Sequence, residues 1–199
     1  MLGDVPPLPA PEPPCEAAGV TDDQVAHIAR LLGQRNTIDD TIAAVIHRPM
    51  TAGHLGEWIA AQMFGIELEQ SAVTAAIDGQ FRLGPLQGST VNVKWYLKQE
   101  GLLDMSESSA LDYYLVLTGP RSAALTSRAG TRPWCIDHVY LFHAPTLLAE
   151  QRVRGVRTGV AASVLKTHWD AAEIYPVARN SLLPLSERET GLLRLFASP

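Results

Sequence analysis

The stretch Thr90–Glu100, TVNVKWYLKQE, decides how this chain is read. Apolar and polar residues alternate along it from Val91 to Lys98, and successive side chains of a strand point to opposite faces. Val91, Val93, Trp95 and Leu97 therefore share one side, which reads as core. Asn92, Lys94, Tyr96 and Lys98 share the other, so an asparagine and a lysine stand two residues apart on a polar strand face.

The residues just before this strand supply a partner for it. AAIDGQFRLGPLQGSTVNVKWYL, residues 75–97, reads as a hairpin whose turn is made by Gly84, Pro85 and Gly88. Centred on Leu86, it sets Asp78 opposite Lys94, with Cβ atoms about 4.5–5.5 Å apart and Asn92 on the same face. Two plainer readings stand beside that one. Asp78-Gly79 can itself be a tight turn, and an aspartate across from a lysine can be an ordinary ion pair on a wet face.

Upstream lies TAGHLGEWIAAQMFG, residues 51–65, where Leu55, Trp58, Ile59, Gln62 and Met63 recur at helical intervals and Gly65 supplies a left-handed stop. Glu57 lies in the first half of this helix, with His54 one turn earlier on the same face. Before it, Thr21 and Gln24 form a capping-box start for Val25, Ile28, Ala29, Leu31 and Leu32, in a helix ending near Gly33 to Asn36. A second short helix fits Asp39 to His47, closed off by Pro49.

Downstream, IELEQSAV, DYYLVLTGP and WCIDHVYLFH read as strands, and GVRTGVAASV as holding a short one. TSRAGTRP reads as loop. APTLLAEQRV is a helix opened by Pro145, KTHWDAAEI a helical turn or two, and SERETGLLRLFA a final helix capped by Ser186 with Glu189 three residues on. The expected fold is α/β, a central mixed β-sheet of about five strands flanked by helices on both sides. Residues 20–199 form one domain with a helical N-terminal extension (20–50), and the Pro-rich residues 1–19 form a disordered tail.

A helix glutamate, a hairpin aspartate and Asn-x-Lys on the next strand, across residues 51–118, resemble the PD-(D/E)XK nuclease-like superfamily, whose fold is restriction-endonuclease-like. The resemblance implies that Glu57, Asp78 and Asn92 hold Mg²⁺ (or Mn²⁺), and that Lys94 positions or deprotonates water during hydrolysis of DNA. Hard oxygen donors suit such a cation, which offsets the negative charge that builds on a phosphodiester. Asn92 departs from the pattern by bringing an oxygen without a charge, although Mrr-type relatives carry glutamine there; Ile77 stands where the motif has proline. His54 and Lys98 are auxiliary candidates, His54 as a donor behind the ion's ligands or as a phosphate contact, and Lys98 as a phosphate contact. The longer text GHLGEWIAAQMFG, DGQF, GPLQG, VNVKWY, GLLD, DYYLVLTGP, TRPW and VYLF is also similar to a bacterial protein family without an assigned activity.

Composition narrows the alternatives. The 199 residues are 46% hydrophobic and 19% charged, ordinary for a globular protein, and a net charge of -5 argues against nonspecific coating of nucleic acid. Arg121, Arg128, Arg132, Arg152, Arg154 and Arg157 concentrate positive charge in the second half. Cys15 and Cys135 are too few for a disulfide framework, no signal peptide opens the chain, and no apolar run nears the ~18 residues of a membrane span. The expected setting is cytoplasmic, without a membrane partner.

The expected function is Mg²⁺-dependent hydrolysis of DNA. Two alternatives stand beside it. One is a catalytically inactive nuclease fold serving as scaffold for an operon partner or in a homo-oligomer. The other is a helix-turn-helix DNA-binding module over TIDDTIAAVIHRPMTAGHLGEWIAAQMFG. Trp95, Trp134 and Trp169 are read as packing residues, and Ser163, Lys166 and His168 have no spacing that forces them into the site.

Overall fold

The structure, a computed structural model, describes residues 22–69, 76–121, 133–159 and 161–198. The Pro-rich residues 1–19, the Thr21 cap and all of TSRAGTRP before Pro133 lie outside them.

The first element among the described residues is α1 (Asp22–Ile46), one continuous helix where the sequence suggested two. Gly33 costs a helix only about 1 kcal/mol, and without a proline nothing blocks the next turn. The polar run that looked like a break is absorbed locally. Thr37 and Thr41 donate their hydroxyls to the carbonyls of Gly33 and Thr37, and Arg35 pairs with Asp39 one turn on. After Pro49, α2 (Ala52–Phe64) starts at Thr51, whose hydroxyl accepts from the His54 amide, and stops at Gly65, whose φ of 62° only a glycine adopts easily.

The sheet has six strands: β1 (Ile66–Leu68), β2 (Gly79–Phe81), β3 (Thr90–Tyr96), β5 (Tyr113–Thr118), β6 (His138–His143) and β8 (Glu173–Tyr175), side by side in that order. β3 and β5 run parallel and every other neighbouring pair antiparallel, so the sheet is mixed, as expected. A separate two-stranded sheet joins β4 (Leu102–Asp104) to β7 (Ala161–Ser163). Among the described residues α3 (Ala144–Val153), α4 (Lys166–Ala172) and α5 (Glu187–Arg194) complete the set, and α5 has the full Ser186–Glu189 capping box. The extra main-sheet strand is β8, which the sequence had merged into the helix of KTHWDAAEI. Its three residues are all buried, and Glu173 is drawn inward by ion pairs that a continuing helix would forgo.

The faces of β3 separate as its alternation predicted. Val91, Val93 and Trp95 pack with Ile59, Ala60 and Met63 of α2 and Leu193 of α5. On the opposite face, Tyr114, Val116, Tyr140 and Phe142 pack with Leu147 and Leu148 of α3, Trp169 and Ala172 of α4, and Leu103 of β4. Each such aliphatic side chain contributes about 1.5–3 kcal/mol on full burial. α2 reaches the sheet through Gly56, where an added Cβ would stand 2.8 Å from the Cβ of Trp95. That close approach carries Glu57, the next residue, down to the level of the strands.

Candidate functional site

The hairpin register differs from the one centred on Leu86. Phe81 donates to the Ser89 carbonyl and Gly88 to the Phe81 carbonyl, closing a turn around Pro85, with Gly84 and Gly88 at positive φ. Leu86 is buried and plugs the core from inside the turn. Gly79 consequently pairs with Val91, two residues short of the assumed partner, and Asp78 stands beside Asn92 instead of directly across from Lys94. A shift by two residues keeps every side chain on its own face, so Asn92 and Lys94 still share one side of β3.

β2 pairs with β3 only at Thr90 and Val91. Past that point Asp78 replaces the missing strand: its amide donates to the Val91 carbonyl at 2.9 Å and its Oδ2 accepts from the Val93 amide at 2.7 Å. The peptide oxygen of Asp78 accepts from Glu69, which ties this corner to the end of β1. Burial pushes the Asp78 carboxyl above its ordinary pKa, the Val93 amide opposes that rise, the charge of Glu57 adds to it, and Lys94 and Arg48 pull it back. Glu57 belongs to the helix layer on one side of the sheet and Lys94 to the other face of β3. Asp78, at the open strand edge, feels both.

Asn92 is 3% exposed, and its Oδ1 has no hydrogen-bond partner among the described residues. A buried amide oxygen left unpaired costs about 1–3 kcal/mol, which makes it an acceptor waiting for a donor or a cation. Lys94 is half-buried on the same face. Glu57 is an ion-pair partner of Arg48, in the turn between α1 and α2. Sequence reasoning passed over Arg48; the signal was HRP directly ahead of the Thr51 cap, where an arginine folds back over the first turns of α2.

The auxiliary candidates separate. His54 directs its Nδ1 to the Pro49 carbonyl at 2.8 Å, so it braces the turn before α2. Lys98 lies two residues beyond Tyr96 and pairs with Glu100 at 3.9 Å. Trp95 is core, its Nε1 donating to the Cys135 carbonyl, and Trp169 is buried edge-on against Tyr140 and Phe142. Trp134 packs edge-on against Trp95 but is 40% exposed. Lys166 pairs with Asp170 and His168 with Glu150, at the opposite face's helix layer.

The arginine concentration is largely consumed by partners. Arg121 donates to the Tyr140 hydroxyl and to Glu173, Arg152 pairs with Glu107, and Arg154 donates to Gln151. Arg128 and Arg132 lie outside the described residues.

As a cation site, the strand edge offers the Asp78 carboxylate and the Asn92 amide oxygen; Glu57, expected to join them, belongs to the helix layer on the other side of the sheet from Asn92. Among the described residues no group of three or more His, Cys, Asp or Glu side chains comes together to hold a metal. The orphaned Oδ1 of Asn92 and the raised proton affinity of Asp78 both fit a missing positive charge. Among the described residues no helix is long and apolar enough to cross a membrane. No protein-family model matches the chain, and a search of the curated proteins finds no match.

Proposed function

We propose that the chain is a divergent PD-(D/E)XK-type nuclease that hydrolyses phosphodiester bonds of DNA with the help of Mg²⁺ or Mn²⁺. The observation that carries this reading is Asp78 at the edge where β2 stops pairing with β3, under the charges of Glu57, Lys94 and Arg48 and beside an Asn92 oxygen with no partner among the described residues. Asp78 is the carboxylate to hold the ion, with Asn92 beside it on the Lys94 face of β3; Glu57 lies towards the other face and acts on Asp78 through its charge. Bound there, a divalent cation supplies charge stabilisation for the phosphate and a lower pKa for a water molecule. Lys94 brings a second positive charge to the scissile group and a donor that orients the attacking water. The Val93 amide fixes one Asp78 oxygen and leaves the other for the ion.

A second reading draws on Arg48. Its guanidinium already neutralises Glu57, and Asn92 adds no charge, so the corner resembles a site in which a protein cation has replaced a metal. Under that reading the chain is an inactive nuclease fold used as scaffold. The helix-turn-helix alternative has least support. α2 buries Gly56, Ile59, Ala60, Met63 and Phe64 against the sheet, and its exposed positions, Gly53 and Gln62, carry no positive charge for a phosphate.

The test is cleavage of plasmid, linear and single-stranded DNA in Mg²⁺ or Mn²⁺ by the parent chain and by Asp78→Ala and Lys94→Ala. Each substitution is expected to reduce cleavage about 100-fold or more, the usual loss when a charge-stabilising group is removed. Equal cutting by parent and variants marks a contaminant and rejects the proposal. No cutting by any of them, with no ion bound, leaves the scaffold reading in its place.

A further inference from the structure

Helix α1 is the element that the proposed chemistry does not use. Every residue from 23 to 38 is exposed, and among the described residues α1 meets α2 in its last turns, where Ile46 is buried and Asp39, Ile42 and Ala43 are half-buried. On the free part, Val25, Ile28, Leu31 and Leu32 are 56%, 55%, 44% and 52% exposed. Residues 25, 28, 32, 35, 39, 42 and 46 alternate in steps of three and four, which is one helical stripe. Its lower end is covered by α2, the Arg35–Asp39 pair marks the boundary, and its upper end faces solvent. A helix this long without packing is marginal in water, and four large apolar side chains on one exposed face are the mark of an association surface.

We propose that this stripe is a two-fold interface between two copies of the chain, with α1 packed antiparallel on α1 of the second copy and crossing it near Ile28. A two-fold contact uses one patch twice, so each side must complement itself. With the axis between Ile28 and Ala29, Val25 comes opposite the partner's Leu32, Leu31 closes the flank, and Asp23 lies one residue from the position opposite the partner's Arg35, within reach of its long side chain. A parallel pair would instead stack Asp23, Arg30 and Arg35 each on its own copy. Charge therefore selects the antiparallel arrangement. It also disfavours a lipid surface as the occupant, because α1 carries Asp22, Asp23, Asp39 and Asp40 against Arg30 and Arg35 and so lacks the basic excess that anionic membranes attract.

The experiment is sedimentation equilibrium of the full chain, with circular dichroism to follow helix content. The parent is expected to dimerise reversibly in the micromolar range. Val25→Glu with Leu32→Glu keeps helix-forming residues seven apart, so helix content stays while the dissociation constant rises about 100-fold or more. Arg35→Glu weakens the dimer several-fold, and adding Asp23→Arg in the same chain restores it, because each new charge faces its complement across the two-fold axis. A parent that is monomeric at all concentrations overturns the proposal, whether or not it then binds lipid vesicles. So does a dimer indifferent to the Val25/Leu32 pair, and a failure of Asp23→Arg to restore the Arg35→Glu dimer overturns the antiparallel geometry.

Discussion

Two buried polar centres lie on the same sheet, and they are finished differently. At the β8 edge, Glu173 is 2% exposed and fully partnered: Arg121 donates to it at 3.0 Å, His138 lies at 2.8 Å, and Arg179 at 3.4 Å. Its peptide oxygen accepts from the amides of Arg179 and Asn180 as well. At the β2 edge, among the described residues, the Asp78 carboxylate accepts from the Val93 amide, Asn92 Oδ1 has no partner, and burial raises the Asp78 pKa. A buried carboxylate surrounded by matched cations is a structural device, since its charge is already compensated. A buried corner with acceptors to spare is held at a cost to the fold, and such costs concentrate at functional sites.

Breaking the closed centre should give the largest effect. Glu173→Ala takes the buried carboxylate away from Arg121, His138 and Arg179, leaving Asp170, 3.7 and 3.8 Å from the two arginines, as their counter-charge, and is expected to destabilise the fold by about 3 kcal/mol. Thermal or denaturant unfolding reads this directly, and a loss below about 1 kcal/mol would show that the centre is not the structural clamp described here. Gly56→Ala comes next. Its Cβ meets Trp95 at 2.8 Å, so α2 must lift from β3, with an expected loss of about 1–3 kcal/mol and separation of Glu57 from Asp78. Unfolding measurements paired with the cleavage assay should show both losses together.

The open centre should respond the opposite way. Asn92→Leu removes an unpaired buried oxygen at similar volume, so stability is expected to hold or to rise by about 1 kcal/mol while cleavage and ion binding fall. Destabilisation comparable to that of Glu173→Ala would mean that the amide is satisfied and the two centres are alike. The smallest effect, and the most diagnostic in sign, belongs to Asp78→Asn. An acid whose pKa is raised on folding binds its proton more tightly in the native state, so the parent loses stability as pH rises from the unfolded value of 3.8 through the raised folded value. Asp78→Asn is therefore expected to be more stable than the parent at neutral pH, an advantage that disappears below the unfolded value. Melting curves across that range check it.

The sequence carried the strand and helix order well, because periodicity and caps are local. Alternation in TVNVKWYL assigned both faces of β3, and Gly65 and Ser186 marked helix ends that the structure keeps. What it carried less well depends on distant partners. The α1 break was inferred from polar residues that proved to bond within the helix, and β8 owes its conformation to Arg121 and His138, far away in sequence. The hairpin centre moved from Leu86 to Pro85 because Leu86 is pulled into the core, a tertiary effect invisible in turn chemistry. In the candidate site, residue types and faces were legible while pairings were not: Asp78 sits by Asn92, and Arg48 emerged only from its contact with Glu57.

Calorimetric titration of Mn²⁺ into the parent chain and into Asp78→Asn, at a pH near neutrality, tests the central claim most directly. Saturable binding by the parent, with melting temperature rising as the ion is added and both responses lost in Asp78→Asn, is the predicted result. Equal heats and equal melting shifts in the two proteins, or none in either, would contradict a cation site at the open edge of β3.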